Sequence, residues 1–227
     1  MNNYLLENIL WILVILVPII ASIKLRSTYS KYKKINNGKG LSGFEVARKI
    51  LDSNCMKDMY IVEVPGNLTD HYDPRQKVVR LSSDIFHGKS IAAVAVAAHE
   101  CGHAIQDKEN YTFMKIRSAI APVVSFVTRI AYILFFISII LQLLGGLYFA
   151  LIMVVFSLVF QIITLPVEFN ASDRALKKIE EYGLVTKDEH DGAKKVLTAA
   201  AMTYVAAVLS DLLNLVRILL ELNDRRR

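Results

Sequence analysis

The residues best suited to chemistry in this chain are His99, Glu100 and His103, in the run His99-Glu100-Cys101-Gly102-His103. On a helix, residues at i and i+4 project from one face a turn apart, so both imidazoles can reach a single Zn²⁺. Glu100 lies one position along, close enough to take a proton from a zinc-activated water. The pattern works only on a helix with room around it. Ala92, Ala93, Ala95, Ala97 and Ala98 supply both helix propensity and small size. Cys101 points away from the histidine face and reads as packing, as does Gly102.

A catalytic zinc needs a third protein ligand and one open position. Chain topology selects a candidate. From Ser118 to Val167 the only charge is Arg129, a length that suits two membrane spans with Gly145-Gly146 near the turn. A hairpin leaving one side of a bilayer returns to that side, and the first acidic residue after the return is Glu168. Glu168 is therefore the expected third ligand. Asn170, Ser172 and Asp173 follow it as candidates for orienting the ligands from behind.

These elements sit in a chain of 227 residues that is 54% hydrophobic. The formal net charge is +6, and six basic residues (Lys24, Arg26, Lys31, Lys33, Lys34 and Lys39) cluster where no acidic residue occurs. A basic cluster directly after an apolar run marks the cytoplasmic flank of a span rather than a nucleic-acid face. No nucleic-acid motif accompanies it. Two cysteines, Cys55 and Cys101, without C-x-x-C spacing argue against a disulfide framework.

The expected organisation runs as follows. Residues 1–23 form a retained transmembrane anchor, 24–40 a basic juxtamembrane linker, and 41–117 a zincin-like segment holding the active-site helix. Residues 118–167 form the hairpin, 168–192 the third-ligand helix and loop, and 193–227 an amphipathic or membrane-associated helix. The last carries Asp211, Asn214 and Arg217 as one polar stripe. If it crossed, Arg225-Arg226-Arg227 would end outside, against the charge rule. Three spans plus an associated helix are the expectation.

Within the soluble segment, Ser42 and Glu45 have capping-box spacing for a helix to about Ser53. Tyr60 to Val64 reads as a strand, Asp70 to Pro74 as turn chemistry, and Lys77 to Ser82 as a second strand. Ser90 can cap the active-site helix. In zincins an edge strand pairs with substrate backbone. Lys77 to Ser82, with Val78 and Arg80, is the candidate here. His71, Tyr72 and Tyr204 are possible donors to an oxyanion.

The chain resembles the neutral zinc metallopeptidases of bacteria often called the YugP family. The resemblance rests on Gly66-Asn67-Leu68-Thr69-Asp70-His71-Tyr72-Asp73-Pro74-Arg75, on Ala97 to Gln106, and on Leu165-Pro166-Val167-Glu168-Phe169-Asn170-Ala171-Ser172. More distantly the chain is similar to HtpX-type membrane proteases, whose third ligand opens Glu-x-x-Ala-Asp. That likeness implies Glu168 as ligand and Ala171 as the motif alanine. The chain departs from it at Ser172, where the distant group has Asp, with Asp173 next.

The fold class expected is a mostly α, multi-span membrane protein with a small cytoplasmic α+β zincin-like (gluzincin) unit. The function expected is a zinc endopeptidase of a bacterial cell membrane, with one Zn²⁺ per chain and its active site on the cytoplasmic side. Its partners would be a polypeptide substrate and the lipid bilayer, with no nucleic acid. Its rivals are a zinc-stabilised, non-proteolytic membrane scaffold and a small transporter using Arg129 and Asp211. Substrate identity and oligomeric state are not encoded in any pattern visible here.

Overall fold

The computed structural model describes residues 2–141 and 145–224. The chain is mostly helical, in the order α1 (Asn2–Lys33), α2 (Gly43–Ser53), β1 (Tyr60–Val64), β2 (His71–Asp73), β3 (Val78–Ser82), α3 (Ser83–Phe86), α4 (Ile91–Lys108), α5 (Thr112–Ile140), α6 (Gly146–Glu181) and α7 (Lys187–Asp224). Four helices among the described residues, α1, α5, α6 and α7, are long and apolar enough to cross a membrane. The C-terminal helix thus joins the three expected spans on length and composition. Arg225-Arg226-Arg227 lie outside the described residues.

Two compact units emerge, the first built from Met1–Ser22, Ile116–Leu165 and Thr203–Arg227, the second from Ile23–Lys115 and Pro166–Met202. In unit 1, large apolar side chains such as Trp11, Ile15, Phe126, Ile133 and Val159 are exposed. The polar stripe of α7 turns toward other helices of the same unit. Ser157 Oγ donates to Asp211 at 2.7 Å, Ser210 Oγ donates to the Val14 carbonyl at 2.8 Å, and the Arg217 guanidinium lies 4.2 Å from the Trp11 ring centre. Asp211 is thus partnered by Ser157.

Unit 2 has an ordinary core. Val46, Ile50 and Leu51 of α2, Val79 and Leu81 of β3, Ile85 of α3 and the alanine face of α4 are buried together with Ile179 and Leu184. The capping box is formed: Ser42 Oγ accepts from Glu45 N–H while Glu45 accepts from Ser42 N–H. Ser90 caps α4 by accepting from Ala93 N–H at 3.1 Å. Residues 24–33, expected as linker, continue α1 instead. Lys and Arg are good helix formers, and Tyr29 and Tyr32 bury in the unit's core.

The sheet order is β1-β3-β2, with β1 parallel and β2 antiparallel to β3. This corrects two expectations. His71–Asp73, expected in a turn, is a strand. The turn begins at Asp73, whose Oδ1 accepts from Arg75 and Gln76 N–H. And β3 is the centre of the sheet, not an edge. Both its sides are paired, so Val78 and Arg80 present no free backbone to a substrate. The edges are β1 and β2.

Candidate metal centre

Unit 2 carries the histidines on α4 and the carboxylate on α6. Ligand atoms of His99, His103 and Glu168 all lie within 4.8 Å of one another. His99 Nε2 is 3.3 Å and His103 Nε2 is 3.6 Å from Glu168 Oε2. Their rings are nearly perpendicular, with centres 4.7 Å apart. Glu168 is 2% exposed and His103 7%. Three potential anionic or lone-pair donors buried this closely repel one another unless a proton or a cation sits between them.

The spacing fits zinc. Tetrahedral ligand atoms, each ~2.0–2.1 Å from the ion, lie ~3.3–3.4 Å apart, close to both observed separations. The three residues are also the usual two-His, one-Glu catalytic set. Close helix approach makes the group possible. A Cβ on Gly102 would fall 2.5 Å from the Ala171 carbonyl oxygen, so only glycine lets α4 and α6 run this near each other.

Each imidazole is held from behind. His99 Nδ1 lies 3.2 Å from Ser172 Oγ, and His103 Nδ1 lies 3.0 Å from Gln106 Oε1. With Nδ1 engaged, Nε2 is the atom left to face the carboxylate. Gln106 does more. Its Nε2 donates to the Val167 carbonyl at 2.8 Å and to Asn170 Oδ1 at 3.0 Å, fixing the turn of α6 that carries Glu168. Asn170 in turn accepts from Arg174 Nε at 2.7 Å. Ser172 thus contacts His99 directly, and Asn170 reaches His103 through Gln106. Asp173 does not join them. It is exposed, about 140° around the helix from Glu168. Gln106 was missed, because a helical glutamine one turn past a motif is ordinarily a surface residue. Here it is fully buried.

Glu100 is buried beside the group. Burial pushes its carboxyl up to about 7, His99 opposes the shift, and the Glu168 and Asp70 carboxylates add to it. The Tyr72 backbone, on edge strand β2, also opposes the rise. Tyr72 pairs with Val79 across the sheet. The Tyr72 hydroxyl donates to Asp107 at 2.6 Å, and burial together with that carboxylate raises its pKa. It is committed there. His71 is exposed, with Nδ1 2.8 Å from the Thr69 carbonyl. Arg80 binds Asp73 at 2.8 Å, and Val78 packs in the sheet interior, 5% exposed. Tyr204 belongs to unit 1. The buried thiol of Cys101, its pKa raised by burial, faces the Ala47 carbonyl at 3.7 Å and acts as packing.

Comparison with known proteins agrees with this chemistry. The chain is 45% identical over 206 residues to "Putative membrane protease YugP" of Bacillus subtilis (strain 168), covering 90% of this chain and 92% of that one. No solved structure matches. The family model described as "Putative neutral zinc metallopeptidase" matches residues 8–223. The chain, a multi-pass membrane protein with a buried two-histidine, one-glutamate cluster, belongs to that neutral zinc metallopeptidase family.

Proposed function

We propose that the protein is a zinc-dependent endopeptidase that cuts membrane or membrane-adjacent polypeptides, with its site on the cytoplasmic side. The observation that carries this reading is the buried triangle of His99, His103 and Glu168 with Glu100 alongside. His99, His103 and Glu168 would hold one zinc per chain. Zinc in that set supplies a Lewis acid that makes water a nucleophile near neutral pH and polarises a peptide carbonyl.

The chain's own residues do the rest. Glu100 takes the proton from the attacking water and passes it to the leaving amine. Ser172 and Gln106 hold the imidazoles by Nδ1, leaving each Nε2 toward Glu168, where it would be available to a metal. Strand β2 offers the free edge along which an extended peptide can lie, the role the sequence had suggested for β3. The basic flank Lys24 to Lys39 supports the cytoplasmic placement.

The test is metal content and casein cleavage of purified wild type, Glu100→Gln and Glu168→Ala. Glu100→Gln should retain about one zinc per chain while cleavage falls roughly 10²–10⁴-fold, the usual contribution of a general base. Undiminished cleavage in Glu100→Gln would refute the mechanism. A wild type that binds zinc but cuts nothing would favour the scaffold reading.

A further inference from the structure

The stripe of α4 that carries Glu100 continues through Ala104 and Asp107, at i+4 and i+7. Against this stretch lies a cavity of about 340 Å³. Its lining includes Met56, Met59, Ala104 and Tyr72, together with exposed Cys55 and Lys77. The volume is at the small end of ligand pockets, roughly 300–1,000 Å³. It has room for one large side chain.

The cavity is built rather than incidental. Arg48 donates to the Met59 carbonyl at 2.8 Å and to the Met56 carbonyl at 2.9 Å, clamping the segment that bears both methionines. Lys108 Nζ binds the Asn54 carbonyl, and Lys77 pairs with Asp107. Two of the four described non-glycine residues with left-handed backbone, Cys55 (φ 55°) and Lys77 (φ 54°), are in its wall. Such conformations persist only where the surroundings enforce them.

Tyr72 connects the cavity to the chemistry. It stands on strand β2, which packs against α4, it lines the cavity, and its hydroxyl donates to Asp107 of α4. Asp107 is answered by Tyr72 and Lys77, and the lining as a whole balances two acids with two lysines. No net charge remains to select an ionic group, and thioethers adapt to varied apolar shapes. At 1.5 Å per residue, Ala104 and Asp107 lie about 6 and 10 Å along the helix from Glu100. An extended peptide covers that in two or three residues.

We propose that this cavity is the specificity pocket for the peptide substrate, receiving a large apolar side chain (Met, Leu or Phe) two or three residues from the cleaved bond. It rests on the endopeptidase reading.

The full-length zinc-loaded protein in detergent micelles is given a proteome-derived peptide library, and cleavage sites are read by mass spectrometry. Wild type should show Met, Leu and Phe enriched at one position two or three residues from the cut. In Met59→Trp, which fills the cavity, the ratio of kcat/KM between a Leu peptide and its Ala counterpart should fall about tenfold, as expected for a lost apolar contact. The ratio does not depend on how much variant folds. N-ethylmaleimide on exposed Cys55 should lower the same ratio, and Cys55→Ala should abolish that sensitivity, Cys101 being buried. A ratio unmoved by both perturbations, with cleavage intact, overturns the pocket alone. A wild type that cuts no peptide overturns the hydrolase reading and the pocket with it.

Discussion

The two units use the same apolar residues in opposite ways. Unit 2 hides them: Ile50, Leu81, Ile85 and Ile179 are each at most 1% exposed. Unit 1 displays them: Phe126 is 67% exposed and Ile133 51%, while Asp211 and Arg217 find partners among neighbouring helices. In water, burial of apolar surface drives folding. In lipid that drive vanishes between helices, and polar contacts and packing hold spans together instead. Unit 2 makes one exception to its own rule. Its buried polar groups concentrate around His103, Glu168, Gln106, Ser172 and Glu100. That exception is the candidate metal centre.

The comparison can be broken at several points, beginning with the largest effect. Glu168→Ala removes the only ligand that α6 supplies to the cluster. Zinc content measured by plasma mass spectrometry should fall from about one per chain to near zero, with loss of all cleavage, since a catalytic site needs three protein ligands. Retention of full zinc would deny the exception its meaning. Next is Phe126→Arg, which puts a charge on the outward face of α5. It should reduce membrane insertion by about 3–4 kcal/mol in a translocon assay, whereas Phe126→Leu should change little. Equal behaviour of the two would show that this face does not meet lipid.

Gln106→Leu sharpens the picture within unit 2. Zinc affinity by chelator competition should weaken roughly 10–100-fold, the usual cost of losing a partner behind a ligand histidine. Gln106→Glu, which keeps an acceptor for His103, should recover part of it. The smallest effect belongs to Trp11→Leu. Losing the Arg217 contact should cost about 0.5–2 kcal/mol in detergent unfolding, with zinc affinity unchanged.

Much of the candidate metal centre is legible in the chain because its logic is local. His99 and His103 are a turn apart, and Glu168 is the first acid after a long uncharged stretch. Helix α2 and strand β1 were legible for the same reason, from a capping box and a β-rich run ending at Pro65-Gly66. What escaped depends on distant partners. Asp73 does open a turn, but His71 to Asp73 become a strand because β3 lies alongside. Strand order is invisible to any window of neighbouring residues, so nothing local marks Lys77 to Ser82 as the centre of the sheet rather than its edge. Gln106 carries no mark of its burial, which depends on α6 arriving 61 residues later.

Gln106 belongs to α4, yet it holds the Val167 carbonyl and the Asn170 side chain of α6. The same amide presents its oxygen to His103. A shift of α6 that moved Glu168 would therefore disturb the contact behind the imidazole as well. One side chain gears the two helices together, so a displacement of one candidate ligand is felt by another.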